Sequence, residues 1–192
     1  MISTINLWHL GADHELNLST FTARCVASAR STPYAVVGAG LAALQSARHG
    51  GTCERIEALF DEAGSPARVE AVVGARLRRG ELLPGFGHPL YPTPTGDPRA
   101  PILLDQVRAA RGATRGALLA RALAARVHEL VDVRPTIDFA MVALRRALDL
   151  PPGAAVALIA IGRSVGWIAH AIEQYQDERM IRPRARYIGP MP

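Results

Sequence analysis

The sequence predicts an all-α fold on three observations. Ala, Leu and Arg dominate its 192 residues, and all three favour helix. No segment shows the strict apolar–polar alternation of a half-buried strand. The 17 Gly and 14 Pro punctuate the chain at intervals instead of forming low-complexity tracts, and no internal repeat is present. A hydrophobic content of 49% is ample for a core and excludes global disorder.

The helices follow in order. Ser19 is placed to cap a helix running to about Ser28. Pro33 opens a second from about Tyr34 to Ala47, whose Gly38, Ala39, Gly40, Ala42 and Ala43 allow close packing. Gly50-Gly51 breaks the chain, and a third helix reaches about Ala63. Ser65 and Pro66 suit the N-cap and first position of the next, where Val69, Val72, Val73 and Leu77 share one face and Gly80 is the stop. A loop spans Pro84 to Gly96. Helices are then expected from Pro98 to about Arg111, from Thr114 to Val131, and from Arg134-Pro135 with Asp138 in the first turn. Pro151-Pro152-Gly153 is the plainest linker. Two more helical stretches fill Ala154 to Asp177, and the tail around Arg182 to Tyr187 reads as extended.

Charge and composition exclude several functions. The net charge is +5, and all 22 basic residues are Arg, with no Lys. The arginines are scattered and aromatics make up only 5%, so the basic stripe with stacking rings of a nucleic-acid surface is missing. Cys25 and Cys53 form no redox or metal motif, and no His/Cys/Asp/Glu spacing suggests a metal site. The first residues lack a basic, apolar leader, so a reduced, cytoplasmic protein is expected. The apolar run Val156 to Ile172 is interrupted by Arg163 and His170. A mid-bilayer charge is costly, which favours a buried helix pair over a membrane span.

The stretch Pro84-Gly-Phe-Gly-His-Pro-Leu-Tyr-Pro-Thr-Pro-Thr-Gly-Asp-Pro-Arg99 carries the chemistry. Its glycines let a ligand approach backbone, His88 can polarise a carbonyl or move a proton, and Arg99 can grip a carboxylate in a bidentate pair. Together they point to a site for a small anionic carbonyl compound. The Gly85-Phe86-Gly87 turn lacks the Lys-Ser/Thr of a phosphate-binding P-loop. Arg163 stands out among the arginines, because an unpaired cation inside an apolar run needs an anionic partner.

Gly-Phe-Gly-His followed by an aromatic and Asp-Pro-Arg resembles the citrate synthase family, as do Ala12-Asp13-His14-Glu15-Leu16-Asn17 and His49-Gly50-Gly51, in the family's order. The resemblance runs from about Asp13 to Tyr187. It implies an all-α fold in which a small helical domain, residues 50–143, is inserted into the C-terminal part of a large one, residues 1–49 and 144–192. It also implies condensation of an acyl-CoA with oxaloacetate and hydrolysis of the thioester. Acetyl-CoA or propionyl-CoA would be a co-substrate, with no permanently bound cofactor.

By the same resemblance Asp138 is the base, His49 stabilises the enol and His88 polarises the ketone. His14, Arg99, Arg163 and Arg182 bind oxaloacetate, Arg182 reaching in from a neighbouring subunit, and Phe86 and Gly87 approach CoA. His9, His128 and His170 read as structural or surface residues. Family members carry a long helical half before the Asp-His-Glu segment. The chain is therefore expected to be a fragment, to have a misplaced start, or to be a short form paired with another chain. A homodimer, a non-catalytic interaction module and cleavage of citryl-CoA or citrate at the same site are the further readings the resemblance leaves open.

Overall fold

The computed structural model describes residues 9–92 and 94–190; the leader expectation for the first residues, and Thr93 in the long loop, fall outside them. Among the described residues eight α-helices of ten or more residues carry the fold: α1 (Leu18–Ser28), α2 (Pro33–Leu44), α3 (Gly51–Ala63), α4 (Val69–Arg78), α5 (Arg99–Arg111), α6 (Arg115–Val131), α7 (Ile137–Ala147) and α8 (Ala154–Gln176). A 3-10 turn, Pro66–Arg68, precedes α4, and among the described residues only isolated β-bridges occur, with no strand. The fold is all-α.

Several local expectations are corrected. Asn17, not Ser19, caps α1: its Oδ1 accepts the Thr20 N–H at 2.9 Å, and Ser19 lies inside the helix. Ser65 makes no capping bond, so Pro66 opens a 3-10 turn before the α-helix. Helix α2 ends at Leu44, three residues early, because the Gly50 N–H reaches back to the Leu44 carbonyl at 2.7 Å and folds 45–50 into a tight turn. The final pair of helices is one helix of 23 residues, since nothing between Ala154 and Gln176 breaks the ladder.

Two apolar clusters hold these helices. One gathers α3, α4, α5, α6 and α7 around Phe60, Phe139, Leu103, Leu123 and Met141. The other joins α1, α2 and α8 through Ala23, Ala27, Val36, Leu44, Trp167 and Ala171. Gly40 is where α2 meets α8, and a Cβ there would overlap the Trp167 ring at 2.6 Å. Gly38, by contrast, faces open space and contributes nothing to packing.

By length and composition α8 could cross a bilayer, with 33% of its most apolar window buried. It also buries Arg163, Trp167 and Gln174 against the protein. Ile161, Val165, Ile168 and Ile172 form an exposed stripe at helical spacing on its outer side.

Candidate functional site

Three chain segments meet over α7. The Gly85 carbonyl accepts the Thr136 N–H at 2.9 Å, and the Gly87 N–H donates to the Arg134 carbonyl at 2.9 Å. These bonds zip the glycine loop to the residues that start α7, and so bring His88 near Asp138. Gly85 sits at φ 86°, and a Cβ there would meet Ile56 at 2.9 Å and Phe139 at 3.0 Å, so only glycine fits. From the other side, residues 11–12 cross α8 at Gly162 and Gly166, where a side chain on Gly166 would collide with the Ala12 carbonyl. That close crossing lets the Arg163 Nε donate to the Gly11 carbonyl at 2.8 Å. Glu15, at φ 52°, then turns the chain between His14 and Asn17.

The result is a cavity of about 400 Å³ lined by His14, His49, Gly87, His88, Arg99, Asp138 and Arg163 among others. Seven of the nine residues expected at the site therefore converge. Phe86 does not line it. Its ring packs on Phe139 at 4.8 Å between centroids and faces an adjoining groove of about 640 Å³, which shares Thr52 and Gly85 with the cavity. Arg182 lies exposed on the C-terminal tail, away from the cavity. A larger groove, about 890 Å³, runs along α2, α3, α7 and α8, is lined by no histidine among the described residues, and is crossed by the ion pair of Glu57 with Arg146.

The cavity is electropositive. Burial, with Arg99, Arg163 and His88 nearby, lowers the His14 imidazole to about 4. Burial and then Arg163 lower His49. Arg163 is only 5% exposed, and burial together with Arg99 lowers it to about 10. Its Nη1 and the His14 Nε2 are buried with no protein partner among the described residues. Unpaired buried polar nitrogens of this kind are costly unless a polar ligand pairs with them.

Among the described residues Asp138 is the one carboxylate lining the cavity. Burial raises it above the usual carboxylate range against the opposing pull of Arg99 and His88. The Cys53 Sγ lies 3.9 Å from its Oδ1, and burial followed by Asp138 pushes that thiol upward, leaving it protonated and inert. The His88 Nδ1 accepts the Leu90 N–H at 3.2 Å, which puts the hydrogen of the neutral ring on Nε2 and makes it a donor.

Two residues of the site escape sequence reasoning. Asp97 receives Arg99 through Nε at 2.9 Å and Nη2 at 2.8 Å, and also takes the Ile137 N–H at 3.0 Å. Burial alone would raise its carboxyl, but Arg99 and these backbone N–H groups outweigh burial and hold it below the usual range. Arg99 therefore keeps Nη1 for a ligand while Asp97 fixes its direction. Ser19 is fully buried, and its Oγ lies 3.0 Å from the His49 Nε2 while accepting the Trp167 indole N–H at 3.3 Å. Asp-Pro-Arg could have revealed the first; a lone Ser inside a helix gives no sequence signal for the second. Among the described residues no group of three or more His, Cys, Asp or Glu side chains could hold a metal ion.

Fold and cavity define a class, an all-helical protein with a cationic, histidine-lined cavity facing one carboxylate. The chain belongs to the citrate synthase family: residues 5–184 match the family model for the citrate synthase C-terminal domain. It is 35% identical to citrate synthase 2 of Bacillus subtilis over 185 residues, covering 94% of this chain and 49% of that protein. Among solved structures it superposes with a TM-score of 0.84 and 32% identity on Thermoplasma acidophilum citrate synthase in ternary complex with carboxymethyl coenzyme A and oxaloacetate, covering 97% of this chain and 51% of that one. Citryl-CoA lyase of Hydrogenobacter thermophilus matches at a TM-score of 0.81 and 25% identity, over 98% of this chain and 76% of that one. The chain spans about half the length of the curated relatives it matches.

Proposed function

We propose that this chain provides the catalytic half of an acyl-CoA:oxaloacetate condensing enzyme, forming citrate and CoA from acetyl-CoA, oxaloacetate and water. The observation that carries the reading is the pair of unpartnered buried nitrogens, Arg163 Nη1 and His14 Nε2, in one cavity with Arg99 and opposite Asp138. Such a cavity suits a small dicarboxylate bearing a ketone. Arg99, Arg163 and His14 would hold the carboxylates, and the His88 Nε2–H would polarise the ketone oxygen.

Asp138, a carboxylate of raised basicity, would take a proton from the carbon next to the thioester carbonyl. His49 would donate a hydrogen bond to the enol oxygen, the new C–C bond would form at the polarised ketone carbon, and water would then release CoA from the citryl thioester. The groove floored by Gly85 and Phe86 adjoins the cavity, which supports a thioester entering along it as a co-substrate. The basic net charge would draw in anionic CoA. Residues 50–143 would act as a lobe that closes on residues 1–49 and 144–192 and excludes water; most of the first apolar cluster lies in that lobe, although it also reaches Leu144, Ala147 and Ala155.

The exposed stripe on α8 supports pairing, either with a second copy or with a chain supplying the other half of the family's length. Arg182 would enter a partner's cavity by the same pairing. Cleavage of citryl-CoA is a second reading, favoured by the larger share of the lyase structure that the chain spans. The deciding experiment supplies the purified protein with oxaloacetate and either acetyl-CoA or propionyl-CoA, and in parallel with citryl-CoA, and follows thiol release and oxaloacetate formation. Oxaloacetate-dependent thiol release supports condensation, and the rate ratio names the acyl donor. Oxaloacetate formed from citryl-CoA alone supports cleavage. Neither from folded protein overturns activity of this chain by itself.

A further inference from the structure

Tyr91 lies outside the cavity lining, yet it touches three residues that form it. Its ring stacks on the His14 imidazole, with centroids 5.5 Å apart and planes inclined by 10°. The Arg99 guanidinium carbon lies 5.4 Å from the centroid of the same ring. The His88 ring meets it at 5.5 Å and 42°, and the Tyr91 N–H donates to the His88 carbonyl at 2.9 Å. His14 and His88 are themselves 5.2 Å apart. His14 belongs to the segment before α1, while His88 and Arg99 flank a loop more than seventy residues later in sequence, so little in the backbone sets one against the other.

We propose that Tyr91 is a positioning residue. Its ring is the common wall against which His14 and Arg99 are held at the spacing that receives a dicarboxylate. This rests on the oxaloacetate-binding reading of the cavity. A π face suits both neighbours, because it attracts the guanidinium and offers a flat stacking surface to a neutral imidazole. The low His14 proton affinity is consistent, since a neutral ring stacks on the tyrosine without bringing a second cation close to Arg99. The phenol oxygen has no part in this role, so the ring alone should suffice.

The test compares the parent with Tyr91→Phe and Tyr91→Leu, measuring the oxaloacetate dissociation constant by calorimetry, the melting temperature, and the His14 ring-proton shifts by NMR. Tyr91→Phe should bind within about twofold of the parent, and Tyr91→Leu about tenfold more weakly, a change of about 1.4 kcal/mol. The Leu variant should melt close to the parent and lose the upfield ring-current shift of His14. Should Leu lower the melting temperature strongly, Tyr91→Met, which fills similar volume without a π face, carries the same expectation. Parent-like binding in the Leu and Met variants overturns the inference, as does equal weakening in Phe and Leu. A parent that binds no oxaloacetate overturns the cavity reading instead. The ring shifts then decide the wall: a His14 signal unchanged by Tyr91→Leu overturns it.

Discussion

At the scale of single residues, the site is a contest between burial and charge, and Asp138 shows which side prevails. Its raised carboxyl means the folded state holds that proton more tightly than the unfolded chain does, so ionising it near neutral pH opposes folding. Asp138→Asn should therefore raise the melting temperature, by about 2–4 °C for each kcal/mol relieved. It should also abolish turnover, with a loss of at least about 10²–10⁴-fold for removing a general base, while oxaloacetate binding persists. Equal activity with unchanged melting would remove Asp138 from the mechanism.

Ser19 offers a second case. Ser19→Ala strips a buried hydroxyl shared by His49, Asn17 and Trp167, and should cost about 1–3 kcal/mol in denaturant unfolding. It should also blur the His49 tautomer seen by ¹⁵N NMR. His14, His49, His88 and Arg99 stand in loop motifs that a reader of the sequence can pick out, and Arg163 stands out as a cation inside an apolar run, whereas Arg182 lies away from the cavity. Asp97 was visible only as part of Asp-Pro-Arg, and Ser19 not at all, since its role depends on a helix packing 30 residues away.

At the scale of elements, glycine and proline punctuation located nearly every helix, because the breakers act through local backbone geometry. It missed the cap of α1 and the unity of α8, since the first depends on which of two nearby polar side chains reaches the free N–H and the second on the absence of any break. Glycine itself divides into two kinds. Gly85→Ala should destabilise by roughly 2–4 kcal/mol, through a positive φ and overlap with Ile56 and Phe139. Gly38→Ala, exposed within α2 with open space around it, should stabilise by about 0.5–1 kcal/mol. Chemical denaturation of both variants checks the contrast.

For the whole molecule, the all-α class follows from composition and period, whereas the meeting of residues 11–19, 49, 85–91, 97–99, 138 and 163 follows from packing that no local window contains. The cationic cavity also sets a pH response. His14 falls from 6.5 to about 4 on folding, so the unfolded chain takes up its proton first as the solution acidifies. Stability from this group is fully present above pH 6.5 and is lost progressively down to about pH 4. Melting temperature should decline across that window, and His14→Gln should flatten the decline.

The Asp97 carboxylate ties together Arg99, its own loop and the first N–H of α7, while two backbone bonds fasten the glycine loop to the same place. His88, Arg99 and Asp138 thus ride on one cooperative unit. In native-state hydrogen exchange the amides of Gly87, Thr136 and Ile137 would open together with a shared free energy, and Asp97→Asn would split them into two separately opening segments.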